Sequence, residues 1–190
     1  MPIVIFLGRD VKEYNEISGK IITDLIIGGS LKCEQCLRPM GRHSSYGRGI
    51  KGTEDRIRIT MVWCSKCGEW HALLPDFLLP YKHYSGNEIE AVLIDSAEVP
   101  VSEIDTNASE STVRRWIRQV GERVRQAVSR LKHIFRREGR SVSEAAIDPG
   151  AAYSELAQVL EMAPSAAKCS GNRLGLANLW LGTNEIREYI

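Results

Sequence analysis

Two pairs of cysteines have the spacing of metal-binding knuckles. Two residues separate Cys33 from Cys36 and Cys64 from Cys67, and 27 residues lie between the two pairs. Four thiolates from two such knuckles form the tetrahedral shell that structural Zn²⁺ prefers. The spacing therefore predicts one structural Zn²⁺ ion bound by these four cysteines. The fifth cysteine, Cys169, is far from both pairs in the sequence, and we interpret it as a small buried apolar residue.

Two histidines leave an alternative ligand set open. His43 and His71 each follow a knuckle, and either could replace a thiolate in a Cys3His site. We favour the four cysteines because they already complete the shell, and we interpret His43 as an exposed loop residue, with a phosphate contact as the alternative. Iron of the rubredoxin type would use the same thiolates, and availability favours zinc. A closed thiolate shell has no open position for water, and no phosphate-binding glycine motif is present, so we expect no enzyme activity.

Local patterns on either side of the knuckles predict the elements that position the cysteines. Basic and apolar residues alternate at the start of 56–63, which predicts a strand with one buried and one charged face that leads into Cys64. Gly68 supplies the positive φ that a knuckle turn needs. The Gly- and Arg-rich stretch 41–55 predicts a loop or a loose hairpin. The apolar run 73–82 contains two prolines and is interpreted as a connector packed against both of its neighbours.

The two ends of the chain are assigned from apolar periodicity and turn residues. The predicted segments are a strand over 2–7, a helix over 10–29, a linker over 139–150 and two helices over 151–163 and 173–190. The N-terminal residues lack the basic region and the cleavage site of a signal peptide. No apolar run approaches the roughly 20 residues of a membrane span. Thiols in knuckles suit a reducing compartment.

Charge is segregated along the chain, although the net charge is only +1. Residues 88–110 contain seven acids and no Lys or Arg, whereas residues 114–140 contain ten bases and two acids. Nine of those ten bases are Arg, which suits bidentate contacts with phosphate and guanine. A polyanion would respond to this segregation and not to the total charge. The pattern therefore favours a nucleic-acid partner.

The basic region follows an order of elements that is typical of a helix-turn-helix. A capping box at Ser85–Glu88 opens a helix to about Ser96, a short helix is predicted over 101–105, and polar residues at 106–109 precede a long helix to about Arg137. Hydroxyls and arginines fill the first turns of that helix, where a recognition helix meets phosphates and base edges. The predicted DNA-contacting residues are Ser111, Thr112, Arg114, Arg115, Arg118 and Arg125. The ribbon could add contacts through Arg42, Arg48, Arg56 or Arg58.

The long helix has an apolar stripe along three heptads, from Val113 to Ile134. A stripe of this length either packs on the C-terminal helices or forms the seam of a homodimer. We favour packing within the chain. Gly121 lowers helix propensity in the middle by about 1 kcal/mol, and it could mark a bend.

The chain resembles an uncharacterised bacterial domain family in three features: the two knuckles with the strand between them, the segment 71–85 with its Leu-Leu-Pro-Asp-Phe-Leu-Leu-Pro-Tyr run, and the sequence Ser-Thr-Val-Arg-Arg-Trp at 111–116. The resemblance spans about 30–120. Its members are similar to the zinc-ribbon plus helix-turn-helix parts of insertion-sequence transposases. The resemblance implies a DNA-binding architecture and a link to mobile elements, but no reaction. The roughly 50 residues after Arg140 are too few for the RNase H-like catalytic domain of such enzymes.

These observations predict a mixed α+β protein: a small zinc ribbon with short strands, then a mostly helical helix-turn-helix unit and C-terminal helices. The predicted segments are 1–30 (strand and helix), 31–84 (ribbon and connector), 85–138 (helix-turn-helix), 139–150 (linker) and 151–190 (helices). The expected function is zinc-dependent binding of double-stranded DNA, in a mobile element or in transcription regulation, in the cytoplasm at the nucleoid. The alternative is an adaptor that docks a transposase, a recombinase or a polymerase subunit through the acidic stretch and the apolar stripe.

Overall fold

The computed structural model describes residues 2–33, 35–54, 56–142, 152–162 and 172–183. Within these ranges the chain forms one four-stranded sheet and five α-helices, which confirms the predicted mixed α+β class. The elements in chain order are β1 (Ile3–Ile5), α1 (Val11–Ile27), β2 (Gly41–Gly49), β3 (Arg56–Trp63), β4 (Trp70–Pro75), α2 (Gly86–Asp95), a 3-10 turn (Val101–Glu103), α3 (Glu110–Arg137), α4 (Ala152–Glu161) and α5 (Arg173–Thr183). None of the described helices combines the length and the apolar content needed to cross a bilayer.

The sheet has the strand order β1-β4-β3-β2, with β1 parallel to β4 and the other pairs antiparallel. Residues of the predicted segments 1–30 and 31–84 therefore belong to one sheet. The prediction of a connector from residue 73 onward was wrong for its first three residues, because Leu73, Leu74 and Pro75 end the strand β4. Pro75 is tolerated because it is the last residue of the strand, so its missing N–H interrupts no further pairing.

β2 and β3 form an antiparallel hairpin, so the hairpin alternative for 41–55 is confirmed and the loop alternative is wrong. The pairing shifts once, between Arg42 and Ser44. β3 has the predicted alternation, since Ile57 and Ile59 are buried while the arginines on either side of Ile57 are exposed.

The first core, called the sheet core below, lies between the sheet and α1. Asp10 caps α1 by accepting the Glu13 N–H at 2.9 Å, and the Tyr14 hydroxyl donates to the carbonyl of Arg58 at 2.7 Å. The largest buried side chains here are Leu7, Tyr14, Ile22, Ile59, Leu73 and Leu78. Cys33 and Cys64 are buried in the same core.

The second core, called the helical core below, is built around α3. The stripe of α3 that includes Trp116, Val120, Leu131 and Phe135 packs with residues of α2, α4 and α5. The stripe is therefore covered within the chain, as the favoured alternative predicted. α3 runs without interruption through Gly121.

The rest of the predicted connector packs against both cores, as expected. Phe77 and Leu78 belong to the sheet core, and Leu79 belongs to the helical core. The Gly86 N–H at the start of α2 donates to the carbonyl of Phe77 at 2.7 Å. The position of α2 is therefore tied directly to the end of the sheet.

The connection from α2 to α3 differs from the prediction. The short helix predicted over 101–105 is a single 3-10 turn of three residues, so the element between α2 and α3 is shorter than in the predicted helix-turn-helix. Ser85 caps α2 by accepting the Glu88 N–H at 3.1 Å. The Glu88 carboxylate does not return to the cap, because it accepts from the Thr106 hydroxyl and from the Asn107 N–H. It therefore orders the polar turn before α3.

α4 and α5 fall within the predicted C-terminal helices, while Cys169 and most of the predicted linker lie outside the described residues.

Candidate metal centre and nucleic-acid surface

The structure brings the four predicted metal ligands together. The sulfurs of Cys33, Cys36, Cys64 and Cys67 all lie within 4.8 Å of one another, and those of Cys36 and Cys64 are 3.5 Å apart. A Zn–S bond of about 2.3 Å implies a tetrahedral S···S separation of about 3.8 Å. The thiol group therefore fits a tetrahedral metal ion. In the described part of the chain neither histidine belongs to this group of ligands.

The two knuckles share one backbone pattern, which explains why their sulfurs converge. In the first knuckle the carbonyl of Cys33 accepts from the Leu37 N–H, and the Cys33 N–H donates to the Arg38 carbonyl, both at 2.8 Å. Cys64 makes the equivalent two bonds, four and five residues further along, at 2.8 and 3.0 Å. Each turn directs both of its cysteines to the same side, and the β2–β3 hairpin connects one turn to the other.

The residue after each knuckle has a left-handed backbone. Gly68 has φ +71°, as predicted, and Leu37 has φ +56° at the equivalent place. A residue with a Cβ in this conformation costs roughly 1–2 kcal/mol. The Leu37 side chain is 67% exposed, so burial recovers little of that cost.

The thiols perturb one another strongly. A hydrogen bond from the backbone N–H of Cys67 lowers the pKa of Cys64 to about 7. A hydrogen bond with the Cys36 thiol, followed by desolvation, raises the pKa of Cys67 to about 12. Four thiolates at these distances repel one another, and a bound cation removes this repulsion. The donor set therefore suits a thiophilic divalent ion.

The predicted DNA-contacting residues all lie on α3, and all of them except Arg125 lie in its N-terminal half. Four of them are exposed and two, Thr112 and Arg125, are half-buried; the exposed residues are Ser111, Arg114, Arg115 and Arg118. The hydroxyl of Ser109, the N-cap of α3, bonds the hydroxyls of Ser111 and Thr112 at 3.1 and 3.0 Å. The start of the helix therefore presents a group of three linked hydroxyls.

Two of the predicted arginines are paired with acids on the same helix. Arg114 forms an ion pair with Glu110 at 3.5 Å, and Arg125 forms one with Glu122. Hydrogen bonds from Arg125 and Gln126 lower the pKa of Glu122. These pairs partly neutralise the basic face.

Three other arginines of α3 lack an ion-pair partner in the part of the chain that the structure describes. Among the described residues, Arg115, Arg118 and Arg123 form no ion pair with an acid. Lys82 of the connector reaches α3, where its ammonium donates to the Gln119 amide oxygen at 3.4 Å. Burial first, and then the charges of Arg123 and Arg115, lower the pKa of Lys82. Lys82, Arg115 and Arg123 therefore form a cluster of positive charge, called the basic cluster below.

Sequence reasoning missed part of this cluster. Lys82 was assigned only to a connector, and Arg123 was counted as a base without a role. The signal for the helical part was present, since Arg115, Gln119 and Arg123 follow one another at four-residue spacing and so share one helix face. Nothing local to Lys82 indicates that the connector passes that face.

Several members of the acidic stretch have internal roles. Glu88 orders the turn before α3, and Glu90 accepts the backbone N–H of Arg173 at 2.7 Å at the start of α5. Glu110 is paired with Arg114. The exposed remainder includes Glu98, Glu103 and Asp105. The acidic surface is thus smaller than the composition suggests.

Residues 32–116 match the family described as a domain of unknown function, DUF6431. No curated protein and no solved structure matches the chain. The matched region contains both knuckles, the strands β2 to β4, α2 and the first turns of α3. Over this region, which unites the metal centre with the start of the basic helix, the chain is similar to a domain family without an assigned activity.

Proposed function

We propose that the protein binds double-stranded DNA through the N-terminal half of α3 and requires a structural Zn²⁺ ion to do so. The observation that carries the proposal is the exposed basic surface of α3, where Arg115, Arg118 and Arg123 have no acid partner among the described residues. Lys82 brings a fourth positive charge to this surface from outside the helix. Unpaired cations that converge on an exposed helix provide the phosphate contacts on which DNA affinity depends.

The zinc ion has a structural role in this proposal. Cys33, Cys36, Cys64 and Cys67 would hold it, and the ion would fix the two turns at one end of the β2–β3 hairpin. Both zinc and iron accept four thiolates, so the ligands do not distinguish the two metals. We prefer zinc because it is the more available metal. The hairpin in turn supports the connector that carries Lys82, because Arg48 of β2 donates to the carbonyls of Leu79 and Lys82.

The arginines of α3 are expected to contribute unequally. Arg114 and Arg125 must leave Glu110 and Glu122 before they can contact DNA, whereas Arg115 and Arg118 are available at once. The linked hydroxyls at the start of α3 add neutral donors near the helix N-terminus, which favours phosphate. The resemblance to transposase-type DNA-binding parts extends the proposal to a role in mobile elements or in transcription regulation, at the nucleoid.

An adaptor for a transposase, a recombinase or a polymerase subunit is the second candidate. Its predicted interface, the apolar stripe of α3, is covered by the helical core. A surface other than this stripe favours the adaptor: Ile94 and Val99 are exposed beside the acidic Glu98. A partner that binds there would have a basic and apolar surface.

The test is fluorescence anisotropy of the zinc-loaded protein on duplex DNA across a salt series. Wild type is compared with Arg115→Ala/Arg118→Ala and with a control, Arg136→Ala/Arg137→Ala, which removes the same charge from the other end of α3. We expect the first double variant to lose at least about tenfold in affinity and to flatten the log–log salt slope by about 2, since each phosphate contact contributes about 0.9.

Equal losses of duplex affinity in the two double variants would show that affinity depends only on the total positive charge of α3. That result would contradict a specific role for the start of the helix. Absence of duplex binding by wild type at low salt, up to about tens of micromolar, would favour the adaptor. Circular dichroism of both variants checks that α3 is intact.

A further inference from the structure

A cavity of about 740 Å³ opens on the sheet next to the basic cluster. Its size falls within the range of about 300–1,000 Å³ that is typical of ligand sites. Two tyrosines and a tryptophan line it, Tyr46, Tyr81 and Trp70, together with the apolar Ala72 and Leu74. Trp70 and Tyr46 are 44% and 43% exposed, which is unusual for aromatic side chains of a sheet.

In the described part of the chain, the charged side chains that line the cavity are all basic. Arg48, Lys82 and His83 line it, and no Asp or Glu does. Lys82 belongs both to this lining and to the basic cluster, because its ammonium contacts Gln119 of α3. The cavity is therefore continuous with the surface proposed to bind DNA.

The strands place the aromatic rings by simple alternation. Trp70, Ala72 and Leu74 occupy every second position of β4 and so share one face of the sheet. The aromatic surface continues beyond the cavity, since the ring centroids of Trp70 and His43 are 3.9 Å apart and those of Trp70 and Trp63 are 6.1 Å apart. A row of rings thus extends from the cavity toward the second knuckle, which begins at the residue after Trp63.

Tyr81 presents its ring from a residue with an unfavourable backbone conformation. Tyr81 has φ +61°, which an L-residue rarely adopts, and its side chain is 76% exposed. Arg48 fixes this turn by donating to the carbonyls of Leu79 and Lys82 on either side of Tyr81. Strained backbone residues cluster at ligand-binding sites, and an exposed ring in such a position is available for stacking.

We propose that this cavity binds an unpaired strand of nucleic acid, with bases stacked on Trp70, Tyr46 and Tyr81 and a phosphate bound by Lys82, which lines the cavity. Exposed aromatic rings along a positively charged groove are the features that bind single strands without strong sequence preference. The inference depends on the proposed function in one respect only: it takes from it that the ligand is a nucleic acid. Because Lys82 serves both surfaces, a strand in the cavity adjoins a duplex bound on α3.

The test measures single-strand and duplex binding separately with the full-length, zinc-loaded protein. The probes are a fluorescein-labelled oligonucleotide of about ten nucleotides, within the footprint of known single-strand sites, as DNA and as RNA, and a duplex of the same sequence. Trp70→Ala/Tyr81→Ala is compared with Trp70→Phe/Tyr81→Phe, which keeps an aromatic ring at both positions. Lys20→Gln, an exposed position on α1, is the charge control for Lys82→Gln.

We expect the alanine variant to lose at least tenfold in single-strand affinity while its duplex affinity changes less than about twofold. The phenylalanine variant should keep most of the single-strand affinity, and Lys82→Gln should weaken both probes more than Lys20→Gln does. The DNA and RNA arms decide which strand the cavity prefers.

Two outcomes would overturn the inference: single-strand affinity that is unchanged in the alanine variant, or equal losses on both probes. Loss of folding in the alanine variant is detected by circular dichroism, and the phenylalanine and lysine variants then decide the question. Failure of wild type to bind the duplex while it still binds the single strand would refute the proposed function and leave this inference standing.

Discussion

At the scale of single residues, the two knuckles differ most at the position that follows them, which is Leu37 in one and Gly68 in the other. We predict that Leu37→Gly stabilises the protein by about 0.5–1 kcal/mol, because relief of the left-handed strain exceeds the entropy that glycine adds to the unfolded chain. Chemical denaturation of the zinc-loaded protein measures this. Gly68→Ala is the reciprocal change and should destabilise by a similar amount. Destabilisation by Leu37→Gly would mean that the exposed leucine makes a contact that outweighs the strain.

Glu122 is a residue whose substitution should raise the proposed affinity for duplex DNA. Its carboxylate pairs with Arg125 in the middle of the exposed face of α3. Glu122→Gln removes a negative charge and frees Arg125, so we predict that duplex affinity rises about threefold at low salt, in line with the small energy of exposed pairs. Because hydrogen bonds hold the pKa of Glu122 below its usual value, the pair persists throughout the neutral range, and the gain should not vary with pH there. Glu138→Gln, near the C-terminal end of α3, is the control, and an equal gain there would contradict a local effect.

At the scale of elements, a buried ion pair joins α3 to α4. Lys132 is only 5% exposed and pairs with Glu155 of α4. We predict that Glu155→Gln destabilises the protein by about 2–3 kcal/mol, because it removes the carboxylate charge with which the buried Lys132 pairs on α4. Lys132→Met/Glu155→Leu, which replaces both charges by apolar groups, should be close to neutral. Urea denaturation followed at 222 nm distinguishes these cases, and equal destabilisation by both variants would show that packing and not charge governs the contact.

The same lysine shows where sequence reasoning fell short for helices. The stripe of α3 was predictable because its apolar residues recur at three- and four-residue spacing, and the helix bounds followed from it. Lys132 was counted with the surface bases, although its position four residues after Val128 and three before Phe135 places it on the buried face. The partner that makes its burial tolerable is on α4, 23 residues away, where no local pattern indicates it.

For the strands, prediction from the sequence was limited in a different way. β3 was predictable from its alternation, but the end of β4 was not recognised, because Leu73–Pro75 continue into a proline-interrupted apolar run and the strand that pairs with them, β1, is about 70 residues earlier in the chain. β2 was ambiguous because Gly and Ser have low strand propensity and nearly every position is exposed, so it forms only because β3 offers a template. The four metal ligands were predictable because cysteine spacing is local, whereas the cavity depends on residues from three strands and the connector.

At the scale of the whole molecule, the metal centre belongs to only one of the two cores. Cys33 and Cys64 are members of the sheet core, and no cysteine is found among the described members of the helical core. We predict that removal of zinc by a chelator abolishes amide protection in β2–β4 and leaves most of the protection in α3, since structural zinc contributes about 10 kcal/mol or more to such folds. Hydrogen exchange with mass spectrometry measures this. Cys64→Ser should reproduce the effect and lower the metal content, whereas Cys169→Ser should change neither. Protection lost equally in both cores would mean that they unfold as one unit.

The hydrogen bonds of Arg48 connect the β2–β3 hairpin to Lys82, which contacts α3. Arg48 lies near the far end of the strand that follows the first knuckle, and it holds the turn from which Lys82 reaches α3. If bound zinc raises the affinity for DNA by some factor through this connection, thermodynamic reciprocity requires that bound DNA raise the affinity for zinc by the same factor. If the protein binds zinc and DNA as proposed, the DNA-bound protein is expected to retain its ion at free zinc concentrations that strip the unbound protein, so that DNA sites already occupied are the last to be lost during zinc starvation.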